Sequence, residues 1–268
     1  MVLKQSSGIE DNNNMLKITL QKFLRLILGL FVHAIGVVCI LNARVGVAPW
    51  DVLHQGLSGL IGITVGQANI STGLIIVVLD IYLGQPIGFG TISNMFLLGT
   101  FMDVLMLNNL VPFFEGYLPR ILQMFAGIAI NGIAVFLYMG VGWGAGPRDG
   151  LMVALMKRTG RSVRFIKTVI EGFAVVVGFI LGGNLGIGTI IVAFLSGPIW
   201  QYMYKILKFD LNEVEHLSIQ EHIKLIKENI VNTSIKYEVL STQTSIVAVY
   251  KRKEKNKDPM KTVYVPLY

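Results

Sequence analysis

Arg44-Val-Gly-Val-Ala-Pro-Trp-Asp51 follows one long apolar run, and Gly142-Trp-Gly-Ala-Gly-Pro-Arg-Asp149 follows another. The stretches lie 98 positions apart and share Gly, Pro and Asp at the same three places. The match continues outward without a gap. From Arg44 to Asp103, 18 of 60 positions are identical at this offset. Eight of the 18 are Gly, Pro or Asp, residues that shape the backbone or carry charge. Shared apolar composition alone would match mainly Leu, Ile and Val. The pattern therefore reads as a duplication.

Each unit has four parts. A long apolar helix comes first (26–42 and 121–139). A Gly-x-x-Pro-x-Asp turn then opens a short segment (50–61 and 148–159). A second long helix follows (64–83 and 162–181), and a Gly-x-Gly-Thr turn leads to a third (91–107 and 189–207). The expected organisation is a polar N-terminal tail (1–20), a first membrane repeat (21–110), a second (118–208) and a small soluble tail (209–268). In the second copy the uncharged part of the short segment runs only from Gly150 to Met156. As helix it reaches about 10 Å, against a hydrocarbon core of about 30 Å. Such a segment is expected to be re-entrant or interfacial, leaving three crossings per unit. An odd number inverts the second copy relative to the first.

Composition places these runs in a membrane. The chain has 268 residues, 53% hydrophobic and 15% charged, with mean hydropathy +0.62. A soluble domain carries about a quarter charged residues. The net charge of +7 does not indicate nucleic acid, because the cations flank apolar runs: Lys17, Lys22 and Arg25, then Lys157 to Lys167, then Lys205 and Lys208. Such flanks mark cytoplasmic edges. The loop 157–167 holds five Lys and Arg, and its counterpart 59–69 holds none. Opposite bias in matched loops fits inverted units. Eight shorter crossings in two parallel units would also keep most cations inside.

A cleaved signal peptide is not expected, because the first sixteen residues are mostly polar and the first helix belongs to the repeat. The single cysteine, Cys39, excludes a disulfide framework and a multi-cysteine metal site. No metal site or cofactor is expected. In the tail, 220–231 reads as an amphipathic helix, and 237–240, 245–250 and 262–267 as strands.

With Gly46 to Leu53 and the second turn at Gly144 to Asp149, the chain resembles the bacterial YczE/YitT-type group of multi-pass membrane proteins. The resemblance covers roughly Leu24 to Leu207. The tail is unlike the small C-terminal domain of YitT-type members, so the YczE branch fits better. The resemblance implies an all-α integral membrane fold. The group is largely uncharacterised and only assumed to transport, so no substrate follows.

The candidate substrate or ion site comprises Pro49, Asp51, His54, Asp103, Pro147, Arg148 and Asp149. Pro49 and Pro147 suit a first helical turn. Asp51 and Asp149 then lie where the macrodipole favours a carboxylate, which is a sufficient structural reason for them. The functional reading is that two broken helices bring carboxylates and free N–H groups together near the midplane. His54 is read either as a proton relay or as a buried, hydrogen-bonded residue. Trp50 is read as an interfacial anchor. Arg148 replaces it in the second copy, and snorkelling to the cytoplasmic face is expected ahead of anion binding. Asp80, near a helix end, is read as reaching the interface. Glu171 can pair with Lys167. Asp103 has no local cation. Asn94, Asn131 and Asn184 can join helices, and the Gly-x-Gly-Thr turns read as tight turns or close backbone approaches. Lys157, Arg158, Arg161 and Arg164 can bind anionic lipid heads, though topology signalling explains them equally.

No nucleophile–base pair is evident, and an enzyme is not expected. Two functions remain: a small secondary transporter with its site between the repeats, or a membrane scaffold or regulatory protein acting through its tail. The expected partners are the bilayer and a small solute or ion. Both termini are expected in the cytoplasm. Reporter fusions at Asn13 and Asn256 should therefore both report cytoplasm; a split result removes every model with an even number of crossings.

Overall fold

The structure, a computed structural model, describes residues 3–206, and these form eight helices with no strand among them. They are α1 (Leu3–Ala43), α2 (Pro49–Ile61), α3 (Val65–Tyr82), α4 (Phe89–Leu107), α5 (Tyr117–Met139), α6 (Pro147–Thr159), α7 (Val163–Ile180) and α8 (Ile187–Ile206). The segment 209–268, expected as a soluble tail with a helix and strands, lies outside the described residues. The polar N-terminal stretch, expected as a tail, continues α1 from Leu3.

Local chemistry sets the helix ends. Pro49 and Pro147 open α2 and α6, where a missing N–H costs nothing. Both helices end at glycines in the left-handed region, Gly62 (φ 72°) and Gly160 (φ 66°). The next helices start on hydroxyl caps, as the Thr64 and Ser162 side chains accept from the N–H groups of Gln67 and Phe165. Each short helix has 13 residues, about 20 Å. That exceeds the 10 Å expected because charged residues at both ends of α6 are also helical. It still falls short of about 30 Å.

Among the described residues four helices are long and apolar enough to cross a membrane: Leu16–Ala43, Val65–Tyr82, Phe89–Leu107 and Tyr117–Met139. Six were expected. Helix α7 carries Arg164, Lys167 and Glu171 within 18 residues, and α8 shows an apolar run over Ile187–Ile199 among the described residues. Large apolar side chains cover exposed faces, such as Leu74, Ile75 and Val78 on α3 and Val169, Phe173 and Val176 on α7. Contiguous exposed apolar surface of this kind is normal against lipid and costly in water.

Helix α1 packs along α5 and α4, and α5 also packs on α8. Gly29 lies against Tyr138, Gly36 against Gly127 and Asn131, and Ile40 against Gly127. Rising numbers on α1 meet falling numbers on α5, so the two helices run antiparallel. Small residues allow this approach: a Cβ at Gly127 would come within 2.7 Å of the Gly36 carbonyl. Leu26 and Leu30 pack with Val135 and Val141 below, and Ile40 and Ala43 with Met124 and Ile128 above.

The short helices pack crosswise. Helix α2 lies on α7, and α3 lies on α6. The breaks before them are held crosswise too. The Gly90 N–H donates to the Trp143 carbonyl at 2.7 Å, and the Gly188 N–H to the Val45 carbonyl at 3.0 Å. The Thr91 hydroxyl donates to the Ala145 carbonyl at 2.7 Å, while the Thr189 hydroxyl accepts from the Val47 N–H at 3.2 Å. Each Gly-x-Gly-Thr turn thus docks on the break that precedes the opposite short helix. The close-approach reading of those turns holds. At the breaks, Gly46 (φ 140°) and Gly144 (φ 118°) adopt backbone that side chains disfavour.

This docking leaves no room for a methyl group. A Cβ at Gly88 would strike the Trp143 carbonyl, and one at Gly186 the Val45 carbonyl, whereas Gly59 and Gly172 face open space. Gly88→Ala and Gly186→Ala should each destabilise the protein by about 1–3 kcal/mol. Gly59→Ala and Gly172→Ala should be neutral or stabilising. Thermal unfolding in detergent checks this, and equal effects at all four positions would refute the docking.

Candidate functional site

Opening α2 with Pro49 puts Trp50, Asp51 and His54 within its first six residues, and opening α6 with Pro147 puts Arg148 and Asp149 in its first turn. The crosswise packing brings these ends together. His54 Nδ1 lies 3.1 Å from Asp51 Oδ1, and Arg148 Nη2 lies 3.2 Å from His54 Nε2. A guanidinium only donates and a carboxylate only accepts. His54 Nε2 must therefore accept, leaving the proton on Nδ1 to be donated to Asp51. The chain Arg148–His54–Asp51 fixes a neutral imidazole in one tautomer. His54 is 0% exposed and Asp51 4%, so few competing waters reach the chain.

Arg148 does not snorkel as expected. It crosses to α2, where its guanidinium stands 4.9 Å from the centre of the Trp50 ring. Trp50, read as an interfacial anchor, is half-buried as the other face of that contact. Asp149 is half-buried, with its carboxylate and Asn94 flanking Gly146, and within electrostatic reach of Arg148 and Lys167. Lys167 pairs with Glu171 at 3.7 Å, as expected.

Asp103 does not join this group. It accepts from the Thr64 hydroxyl at 2.5 Å and the Gly66 N–H at 2.9 Å. It closes the first turn of α3, where backbone donors lack partners. Lys157, Arg158 and Arg161 are exposed where α6 passes into α7, with Arg161 over the Phe165 ring at 5.5 Å, and Arg164 follows in α7. The Asn184 N–H is taken by the Gln55 side chain at 3.2 Å.

Two residues go beyond the sequence reading. His33 of α1 stacks on Tyr138, with ring centroids 5.6 Å apart. Its Nδ1 is buried and has no hydrogen-bond partner, and it lies within electrostatic reach of Arg148 and Asp51. A histidine inside an apolar run is a signal that could have found it. Asp80, read as reaching the interface, is 0% exposed. The end of α3 packs on α6, and Asp80 Oδ2 lies 2.7 Å from where a Gly150 Cβ would stand.

A family described as a family of unknown function (DUF6198) matches residues 20–205. The chain belongs to that family. An uncharacterized membrane protein of Bacillus subtilis (strain 168), YczE, is 33% identical over 176 residues, 65% of this chain and 81% of the relative. An uncharacterized protein of Haemophilus influenzae is 28% identical over 182 residues, 68% of this chain and 83% of the relative. YyaS, an uncharacterized protein of Bacillus subtilis, is 25% identical over 174 residues, 63% and 86% of the two chains. No solved structure matches the chain. This DUF6198 member is a membrane protein, as the YczE resemblance implied, and no enzymatic family is indicated.

The contacts of Asp103 set its response to substitution. Asp103→Ala orphans the Gly66 N–H and the Thr64 hydroxyl and should cost about 1–2 kcal/mol. Asp103→Asn keeps an acceptor and should cost less. Unfolding in detergent measures both, and a harmless Asp103→Ala would sink the capping role.

Proposed function

We propose that this protein is a small secondary transporter of the bacterial cell membrane, with both termini cytoplasmic. Its two halves are read as inverted repeats of three crossings plus one broken helix. Its substrate or ion site lies where α2 and α6 begin. The observation that carries this reading is the contact between the two helix starts: Arg148 of α6 on both His54 and Trp50 of α2. Half-helices whose first turns converge present free N–H groups and charged side chains to a solute at mid-depth. The antiparallel course of α1 and α5 supports the inversion, and the matched bounds of α2 with α6 and of α3 with α7 support the repeat. Charged and polar side chains inside a membrane are costly, which favours a functional reason for gathering them.

The site would include Asp51, His54, Arg148 and Asp149, with Pro49 and Pro147 setting the breaks. Inverted breaks enter from opposite faces, so a site between them can open to either side in turn. One guanidinium, two carboxyl groups and an imidazole there suit a small polar solute or an ion.

The experiment begins with purified protein screened by thermal shift against small polar solutes and inorganic ions, followed by flux of any stabilising solute into proteoliposomes. Asp51→Asn, Asp149→Asn and the double variant should keep the folded, monodisperse protein and lose the shift and the flux at least tenfold. If they retain both, the carboxylates serve the helix ends only. If no solute shifts the wild type, and cellular activity disappears on truncation after Leu207, the scaffold reading replaces the transporter.

A further inference from the structure

Position 80 and position 178 correspond at the 98-residue offset, as do positions 52 and 150. In one half, Gly178 of α7 lies against the Val52–Leu53 backbone of α2. In the other half, Asp80 of α3 lies against Gly150 of α6. In the first pair the nearest neighbours of the glycine are backbone atoms, and the Val52 side chain belongs to the cluster of Ala34, Val37 and Leu98; in the second pair the glycine meets the Asp80 carboxyl group itself. The chemistry is not equivalent, because only the second pair encloses a carboxyl group.

Neither Asp80 oxygen has a hydrogen-bond partner, and the side chain is fully buried. The charged groups of the surrounding helices are otherwise engaged or distant. On α6, Arg148 is held by His54 and Trp50, Asp149 faces Gly146 and Asn94, and Lys157 and Arg158 lie at the far, exposed end. On α2, Asp51 binds His54. On α4, Asp103 caps the opposite end of α3. An ionised carboxylate left buried without a counter-ion or donor costs several kcal/mol, and protonation removes the cost. A metal cation would need several more oxygen ligands, and no cluster of three acidic, histidine or cysteine side chains occurs among the described residues.

We propose that Asp80 and the first turn of α6 form a proton-binding site, with the proton carried on the Asp80 carboxyl in this conformation. Loss of the proton would leave an anion in contact with Gly150, beside Asp149, and would favour movement of α6 away from α3 or entry of water between them. Protonation thereby couples to the seating of the helix that bears Arg148. Use of this proton to drive transport rests on the transporter reading; the site itself does not.

Infrared difference spectroscopy of the full-length protein in lipid nanodiscs, titrated with pH in potassium and in sodium buffers, tests this without any substrate. The wild type should show a protonated carboxylic C=O band at neutral pH that disappears on alkalinisation. Asp80→Asn should lack that band, while Asp51→Asn and Asp103→Asn retain it. A band that persists in Asp80→Asn, or an Asp80 that is ionised at neutral pH in the wild type, overturns the proposal. Loss of the band on replacing potassium with sodium at constant pH also overturns it, in favour of a cation site. If Asp80→Asn does not fold, Asp80→Ala provides the carboxyl-free control. Failure of the transport experiment leaves these outcomes unaffected.

Discussion

Each short helix begins where the chain leaves the preceding long helix, and at that break backbone groups lie open among apolar neighbours. Hydrocarbon offers them no partner, so irregular backbone survives at depth only against other protein. Here the partner is the Gly-x-Gly-Thr turn of the opposite half, through Gly90 to Trp143 and Gly188 to Val45. Both requirements are backbone requirements. Glycine supplies the close approach, and threonine supplies a hydroxyl that can donate at one break and accept at the other. The two breaks support each other, and the positions of α2 and α6 follow from them.

With the helix starts held in place, a matched scaffold carries unmatched side chains. Trp50 stands 98 positions before Arg148, and the two meet face to face. His54 stands 98 positions before Met152, and it is the link between Arg148 and Asp51. A two-fold arrangement of identical residues would place like charges opposite each other. The difference between the two segments lets a cation, a neutral imidazole and a carboxylate follow one another across the junction.

Much of this architecture was legible in the sequence, because it rests on residues with few alternatives. Pro49, Pro147, Gly62 and Gly160 mark helix ends by backbone chemistry alone. Apolar runs mark the long helices, and YczE-like motifs point to the right family. What sequence could not supply was which faces meet. Arg148 beside a cytoplasmic loop reads as a snorkelling residue until α2 is seen across from it. Asp80 near a helix end reads as reaching the interface until Gly150 is seen to leave space for it. Asp103 reads as having no local cation, and its partners, Thr64 and Gly66, are 39 and 37 positions away. Such pairings depend on helix packing, which local periodicity does not encode.

The enclosure of Asp80 by Gly150 has a consequence for biogenesis. A segment carrying an ionised carboxylate partitions poorly into hydrocarbon. Gly150 comes later in the chain than Asp80, so α3 meets the bilayer before the helix that encloses its carboxyl group has been made. The order of synthesis therefore exposes the acidic group before its enclosure exists.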